Sequence, residues 1–317
     1  MSKIKIYLYP NARPHVHDTE AAPHYYNTVP MSEEGIKKHC EIVSAEEADF
    51  FYMGQLTNSQ ATANLQPNNF EHWEGNEGRH ICDYEGEGGQ EQGAGGIPLP
   101  QWLHNSIITI NGPLKTYSHI KNLFVRPTFS HLLVDIAKNR HDIFPFPTEK
   151  GIGFRGYLNC GVRLLMGNAI YNSNDFNHDV VMNRSWSGPS EVGSQTQRDY
   201  IDGLIRNPIS LCPRGSGIDS VRLIETCFYR RVPVLISDYD YFMVGEDHYD
   251  TSFCFRICHP YMTEDFFVSE LKKIYNLSLD ELRERAELAR KYFEEVIRVY
   301  FDDPTLYFLN WLRNGRH

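Results

Sequence analysis

Residues 209–238 read ISLCPRGSGIDSVRLIETCFYRRVPVLISD. An apolar run, Ile209 to Cys212, passes through a glycine-bearing turn into an amphipathic stretch from Asp219 to Arg230, and a second apolar run follows, Val232 to Ser237. Strand, turn, helix and strand in that order predict a βαβ unit, and with it a parallel sheet. Gly215 and Gly217 let the chain turn tightly and leave backbone N–H groups bare, while Ser216, Asp219 and Ser220 lie where the helix begins. Bare N–H groups and a helix dipole together make an anion site. Val221, Ile224, Cys227 and Phe228 share a helical face toward the sheet, which predicts Arg222 and Glu225 on another side, near the mouth of the turn. A cation for phosphate and a carboxylate for sugar hydroxyls suit nucleotide-diphosphate recognition. The competing reading is a structural turn with a solvated Arg/Glu pair.

The same logic extends outward from this segment. Strands are predicted over Lys3 to Tyr9, residues 48–54, Trp102 to Ile110, Asn122 to Val125, 151–158 and Asp179 to Met182. Helices are predicted over Glu33 to Lys38, Thr128 to Lys138, 161–168 and Gln195 to Ile205. Ser278 with Glu281 makes a capping box at the head of a helix running to about Phe301, and a last apolar segment, TLYFLNWLR, closes the chain. Residues 66–101, rich in glycine and acids and without a period, read as a long surface loop. Pro145 and Pro147 stiffen an extended link. The division expected is an N-terminal unit over 1–147 and a C-terminal one over 148–317, with the last helix packing back on the first.

A length of 317 residues favours two domains of about 150 residues each. The 41 acidic residues outnumber the 31 basic ones, for a formal charge of -10, and no Lys/Arg run tracks a nucleic-acid backbone, which argues against nucleic acid as a partner. Seven cysteines without paired spacing fit a reducing compartment, and Cys254 with Cys258 reads as a strand with buried thiols ahead of a zinc site. No signal peptide and no apolar stretch of membrane-spanning length is evident, so no transmembrane segment and a cytoplasmic location are expected.

Across Ser210 to Asp238 the chain resembles the exostosin-type signature of glycosyltransferase family 47. The matching residues are Cys212, Pro213, Arg214, Gly215, Ser220, Arg222, Glu225, Pro233, Val234, Ser237 and Asp238. KIYLYP at 5–10, Glu20, EEADFFYMG at 46–54 and GFRG at 153–156 are similar to further parts of the family pattern. The middle of the chain departs from it: only Gly78, Arg79 and His80 represent the family's Gly-Arg-Asp-His stretch. The resemblance implies an α/β fold of two Rossmann-like domains facing across a cleft, called GT-B. It further implies anomeric inversion without a required metal or other cofactor, and a nucleotide sugar, a UDP-sugar first, transferred to a glycan acceptor. Arg155, Arg214 and Arg222 become diphosphate candidates beside Gly215, Ser216, Gly217 and Ser220, with Glu225 as the ribose ligand. The arginines would stabilise the charge growing on the departing nucleotide. A glycan pathway in the cytosol of a bacterium or directed by a virus is the expected setting.

Inversion in one displacement needs a base for the acceptor hydroxyl proton. The loop after the first strand opens where α/β active sites form, and it carries His15, His17, Asp18 and Glu20. Glu20, Asp18 and His17 are the leading candidates, each with a capping, ion-pairing or plain loop role as its alternative. Asp83, Glu85 and Glu87 are reserves, read as solvated. Asp238 and Asp240 form an Asp-x-Asp that could hold manganese or magnesium as a lesser possibility. A non-catalytic glycan-binding scaffold of the same fold is the alternative function. An epimerase or dehydrogenase ranks last, because the first strand lacks G-x-G-x-x-G.

Overall fold

The computed structural model describes residues 3–10, 25–27, 30–56, 66–84, 100–111, 118–130, 144–183, 195–215, 219–241 and 243–314. In chain order the elements are β1 (Ile4–Leu8), β2 (Tyr25–Asn27), α1 (Glu33–His39), β3 (Cys40–Ile42), β4 (Phe50–Leu56), β5 (His80–Tyr84), β6 (Ile107–Asn111), β7 (Leu123–Arg126) and β8 (Thr128–Ser130). After the proline link come β9 (Ile152–Tyr157), α2 (Gly161–Tyr171), β10 (His178–Asn183), α3 (Gln195–Arg206), β11 (Ile209–Pro213), α4 (Val221–Phe228), β12 (Val232–Ser237) and β13 (Phe255–Cys258). Helices α5 (Glu264–Tyr275), α6 (Leu279–Tyr292), α7 (Arg298–Asp302) and α8 (Pro304–Arg313) complete the chain, with one wide π turn at Phe293–Ile297 between α6 and α7.

The strands form two parallel sheets, of order β3-β1-β4-β5-β6-β7 and β10-β9-β11-β12-β13, in an α/β arrangement of Rossmann-like type. Strand alternation distributes side chains to opposite faces. On β4 and β5, Tyr52 and Ile81 enter a core shared with Cys212, Leu223, Cys227 and Phe308, whereas Phe51 and Cys82 enter a second cluster with Tyr9, Trp73 and Ile108. A third cluster, with Phe154, Met166, Leu211, Val234 and Phe267, covers the other face of the second sheet. The pairing of β4 with β5 shifts register between Tyr52 and Gln55, and Gly54 sits at that irregularity with φ 86°, a conformation only glycine adopts without strain.

Several expectations fail. Trp102–Asn105, expected to open a strand, lie in a 3-10 turn over Gln101–Asn105, and the strand begins only at Ile107. Residues 66–84 are not a loop: β5 is an inner strand, buried from His80 to Tyr84, and short 3-10 turns at Pro67–Asn69 and Glu77–Arg79 precede it. Thr128–Ser130 is extended rather than helical, pairing antiparallel with Tyr25–Asn27, while 131–143 lie outside the described residues. Helix α5, with Thr263 as its N-cap, was not anticipated. The capping box at Ser278 and Glu281 is present. Of the pair read as buried thiols of a strand, Cys258 ends β13 but is only part-buried, and Cys254 is buried just ahead of that strand. Among the described residues no helix is long and apolar enough to cross a membrane.

Helix α8 returns to the first sheet. It packs on α1, and the Phe124 ring of β7 lies 4.9 Å from Phe308 and 5.2 Å from Trp311. Lys38 and His39, at the end of α1, reach Asp303 at 2.7 and 2.8 Å. Burial works to raise the Asp303 pKa, but Lys38, the Leu306 N–H and His39 together hold it below the usual carboxylate range.

Candidate functional site

Numbered by their own succession, the strands of the second sheet run 2-1-3-4-5, so the chain leaves β9 toward β10 and returns to lay β11 on the other side of β9. The carboxyl ends of β9 and β11 therefore flank a topological switch point, where α/β folds open a crevice for ligands. The GFRG segment forms most of β9, and the Cys-Pro-Arg-Gly turn leaves β11. Arg163 of α2 fastens the two together: its Nε donates to the Arg214 carbonyl at 2.9 Å and its Nη1 to the Tyr157 carbonyl at 2.8 Å. The Cys160 thiol adds a 3.5 Å contact to the same Arg214 carbonyl.

Each sequence-predicted arginine here has a partner within the chain. Arg155 donates through Nη2 to both oxygens of Asp179 on β10, at 2.8 and 3.1 Å. Arg214 forks onto Asp238 at the end of β12, with 2.6 Å between Nη2 and Oδ2, and faces the Tyr239 ring at 5.8 Å. Burial pulls the Arg214 pKa down, yet Asp238 more than offsets it, so the guanidinium stays charged. Arg222 is clamped between the rings of Phe154, 4.6 Å away, and Tyr200, 4.7 Å away, and donates to the Arg155 carbonyl. Glu225 accepts a hydrogen bond from the Tyr200 hydroxyl. Burial, then the Glu225 charge, pushes the Tyr200 phenol far above its ordinary pKa, so it remains a donor.

Arg222 and Glu225 are thus brought together with Arg155 and Arg214, but not at an exposed mouth. They are 9% and 5% exposed, because α4 packs on β11 and β12, on β8 and on α6 at once and is buried from Arg222 to Phe228. Ser220 is the buried N-cap of α4, and its side chain makes no capping bond. Gly215 has no left-handed backbone, and a Cβ there would make only ordinary contacts, so glycine is not sterically required at that position. Ser216 and Gly217 lie outside the described residues, as do His15, His17, Asp18, Glu20, Glu85 and Glu87.

Asp83 is a correction. It is fully buried rather than solvated, and it accepts from the Tyr52 hydroxyl at 2.6 Å and from the Thr109 hydroxyl. Burial raises its pKa against the opposing pull of Arg126, Thr109 and Tyr52. Gly78, Arg79 and His80 sit at the amino end of β5, the edge opposite to where α/β sites form. Arg79 there binds the carbonyls of Asp49 and Ala48, and His80 bridges the Asn76 carbonyl and the Tyr9 hydroxyl at 2.8 and 2.9 Å. The Asn76 carbonyl needs a donor, so Nδ1 carries the proton and Nε2 accepts from Tyr9. Burial lowers the His80 pKa and keeps the ring neutral.

The Asp-x-Asp carboxylates are held apart by different cations, Asp238 by Arg214 and Asp240 by Arg256 at 2.8 Å. Among the described residues no group of His, Cys, Asp and Glu gathers as a metal site. Sequence reasoning missed Arg163, Asp179 and Tyr200. A signal existed for Arg163: the helix after GFRG must start at the same switch point, which puts its first turn against the turn after the next strand. Asp179 and Tyr200 carried none, since their roles depend on strand neighbours and on a helix that crosses the sheet. No family model matches the chain, and no curated protein matches it.

Proposed function

We propose that this protein is an inverting glycosyltransferase of GT-B type, which moves a sugar from a nucleotide-sugar donor, a UDP-sugar first, to a hydroxyl of a glycan acceptor. The observation that carries the reading is the 2-1-3-4-5 strand order, because it puts the Cys-Pro-Arg-Gly turn at the topological switch point, where Arg163 binds the Arg214 carbonyl. In this reading the two sheets face across a cleft, Arg155, Arg163 and Arg214 meet the diphosphate, and Arg222 and Glu225 form the supported wall behind it. Guanidinium groups fixed by carboxylates and aromatic rings need no reorganisation as charge builds on the leaving nucleotide. The base remains among Glu20, Asp18 and His17.

A second reading, a glycan-binding scaffold without turnover, is favoured by one observation: Asp179, Asp238 and Tyr200 already occupy Arg155, Arg214 and Glu225. A thermal-shift series with UDP, GDP and CMP separates the two, since a ligand held only by the folded state raises the melting temperature. The expected outcome is a rise with one nucleotide class that Arg214→Gln abolishes, followed by sugar transfer that survives EDTA. No rise with any nucleotide would favour the scaffold. Transfer lost in EDTA and restored by manganese would bring Asp238 and Asp240 into the site.

A further inference from the structure

Beyond the end of β13 the chain presents three aromatic rings to solvent. The His259 N–H donates to the Ser237 carbonyl at 3.1 Å, which carries the β12–β13 pairing one residue further and sets His259 beside Asp238, the carboxylate that Arg214 grips. Pro260 stiffens the next step, and α5 begins at Glu264 behind the Thr263 cap. The His259 ring lies 5.1 Å from Phe266 and 6.3 Å from Tyr261, so the three form one continuous surface. Tyr261 is 83% exposed, more than any other large hydrophobic side chain described, and Phe266 is 37% exposed. Apolar side chains scattered singly over a surface are ordinary, whereas a clustered set marks a place where something binds. This cluster stands at the carboxyl edge of the second sheet, the edge where α/β ligand sites form.

The polar groups around the rings narrow what that is. Nδ1 of His259 accepts from the Tyr261 N–H at 3.1 Å, so in the neutral ring Nε2 carries the proton and is presented as a donor. Glu264 and Asp265, in the first turn of α5 and next to Phe266 in the chain, are acceptors. Their carboxylates, on a chain of formal charge -10, repel a phosphate-bearing ligand, which disfavours a nucleotide or a nucleic-acid strand here. Size disfavours a second copy of the chain: Tyr261 and Phe266 together expose about 300 Å² at most, against about 800 Å² per partner in a stable interface. A neutral sugar ring meets every feature of the cluster. Its C–H face lies on the negative faces of the aromatic rings, and its hydroxyls both accept from Nε2–H and donate to the carboxylates.

We propose that His259, Tyr261 and Phe266 form a docking platform for a neutral pyranose unit of a glycan, with Glu264 and Asp265 as hydroxyl acceptors at its rim. Its role rests on the transferase reading, in which it holds a sugar unit of the acceptor about 10 Å, two strand spacings, from the Cys-Pro-Arg-Gly turn; binding itself requires no donor. Linear β-linked tetrasaccharides of glucose, xylose and galactose are the probes, followed by titration calorimetry, with UDP and UMP titrated separately. Wild type should bind at least one tetrasaccharide. Tyr261→Ala should weaken it about tenfold through the lost ring contact, and His259→Leu about three- to tenfold, the worth of one hydrogen bond. Tyr261→Phe should keep the affinity. Because these side chains are exposed, melting temperature and UDP affinity should match wild type in all three variants. No binding of any tetrasaccharide, or equal binding by wild type and Tyr261→Ala, would overturn the proposal. So would UMP that competes with the sugar through Tyr261, or a dimer in sedimentation velocity that Tyr261→Ala dissolves. If UDP fails to bind while a tetrasaccharide binds through Tyr261, the donor site falls and the platform stands; the reverse result removes the platform alone.

Discussion

Asp83 shows how burial rewrites a residue that looks like part of a solvated acidic loop. Its neighbours in sequence, glycines and acids, suggest water; its neighbours in space are Tyr52, Thr109 and Arg126. The unfolded chain loses this proton near the ordinary aspartate pKa of about 3.9, while the folded chain keeps it to higher pH. The unfolded state thus binds fewer protons over that window, and the stability that Asp83 contributes at low pH is lost as pH rises through its folded pKa. Asp83→Asn does not ionise, so its stability relative to wild type should improve from pH 4 to pH 8. Urea midpoints of both proteins across that range measure this, and a constant difference would contradict the raised pKa. Arg222 and Glu225 carry a related lesson. Their place on one helix was legible from the sequence, but their burial was not, since it comes from Phe154, Tyr200 and a helix packed on more than one side.

Local sequence decided the elements whose signals are local. The Ser278 hydroxyl accepts from the Glu281 N–H at 3.1 Å and the Glu281 carboxylate accepts from the Ser278 N–H at 2.8 Å, so α6 starts where the capping box puts it. Ser278→Ala should cost about 1 kcal/mol, read as a lower urea midpoint with unchanged slope. Strand β12 follows the apolar run from Val232 to Ser237 without deviation, because a fully buried parallel strand leaves a continuous hydrophobic stretch. Strand β5 escaped the same reasoning. Its five residues, HICDY, mix apolar and polar types, and all five are buried because β4 and β6 flank the strand and satisfy Asp83 and the backbone, while Tyr9 and Asn76 satisfy His80. Thr128–Ser130 likewise took its state from a partner, β2, about a hundred residues earlier in the chain.

At the scale of the molecule, the last helix bridges the chain's two ends. Phe308 is fully buried against Phe124, and α8 approaches α1 so closely that a Cβ at Gly35 would overlap Thr305 Oγ1. Phe308→Ala should therefore destabilise the protein by about 3–5 kcal/mol through lost contacts and a residual cavity. Chemical denaturation followed by tryptophan fluorescence, with Trp311 beside the same ring, reads that loss; a change under about 1 kcal/mol would mean that α8 contributes little to the core. The sequence by itself determined the α/β class, the βαβ unit around 209–238 and the capping box at Ser278, because hydrophobic period, glycine placement and capping act over a few residues. Only the tertiary structure decided that β5 is an inner strand, that Arg222 and Glu225 lie inside, and that Asp179, Tyr200 and Arg163 hold Arg155, Glu225 and the Arg214 carbonyl. Those outcomes depend on which strands become neighbours and how helices lie across them, and strand order is fixed by burial summed over the whole chain rather than by any short stretch.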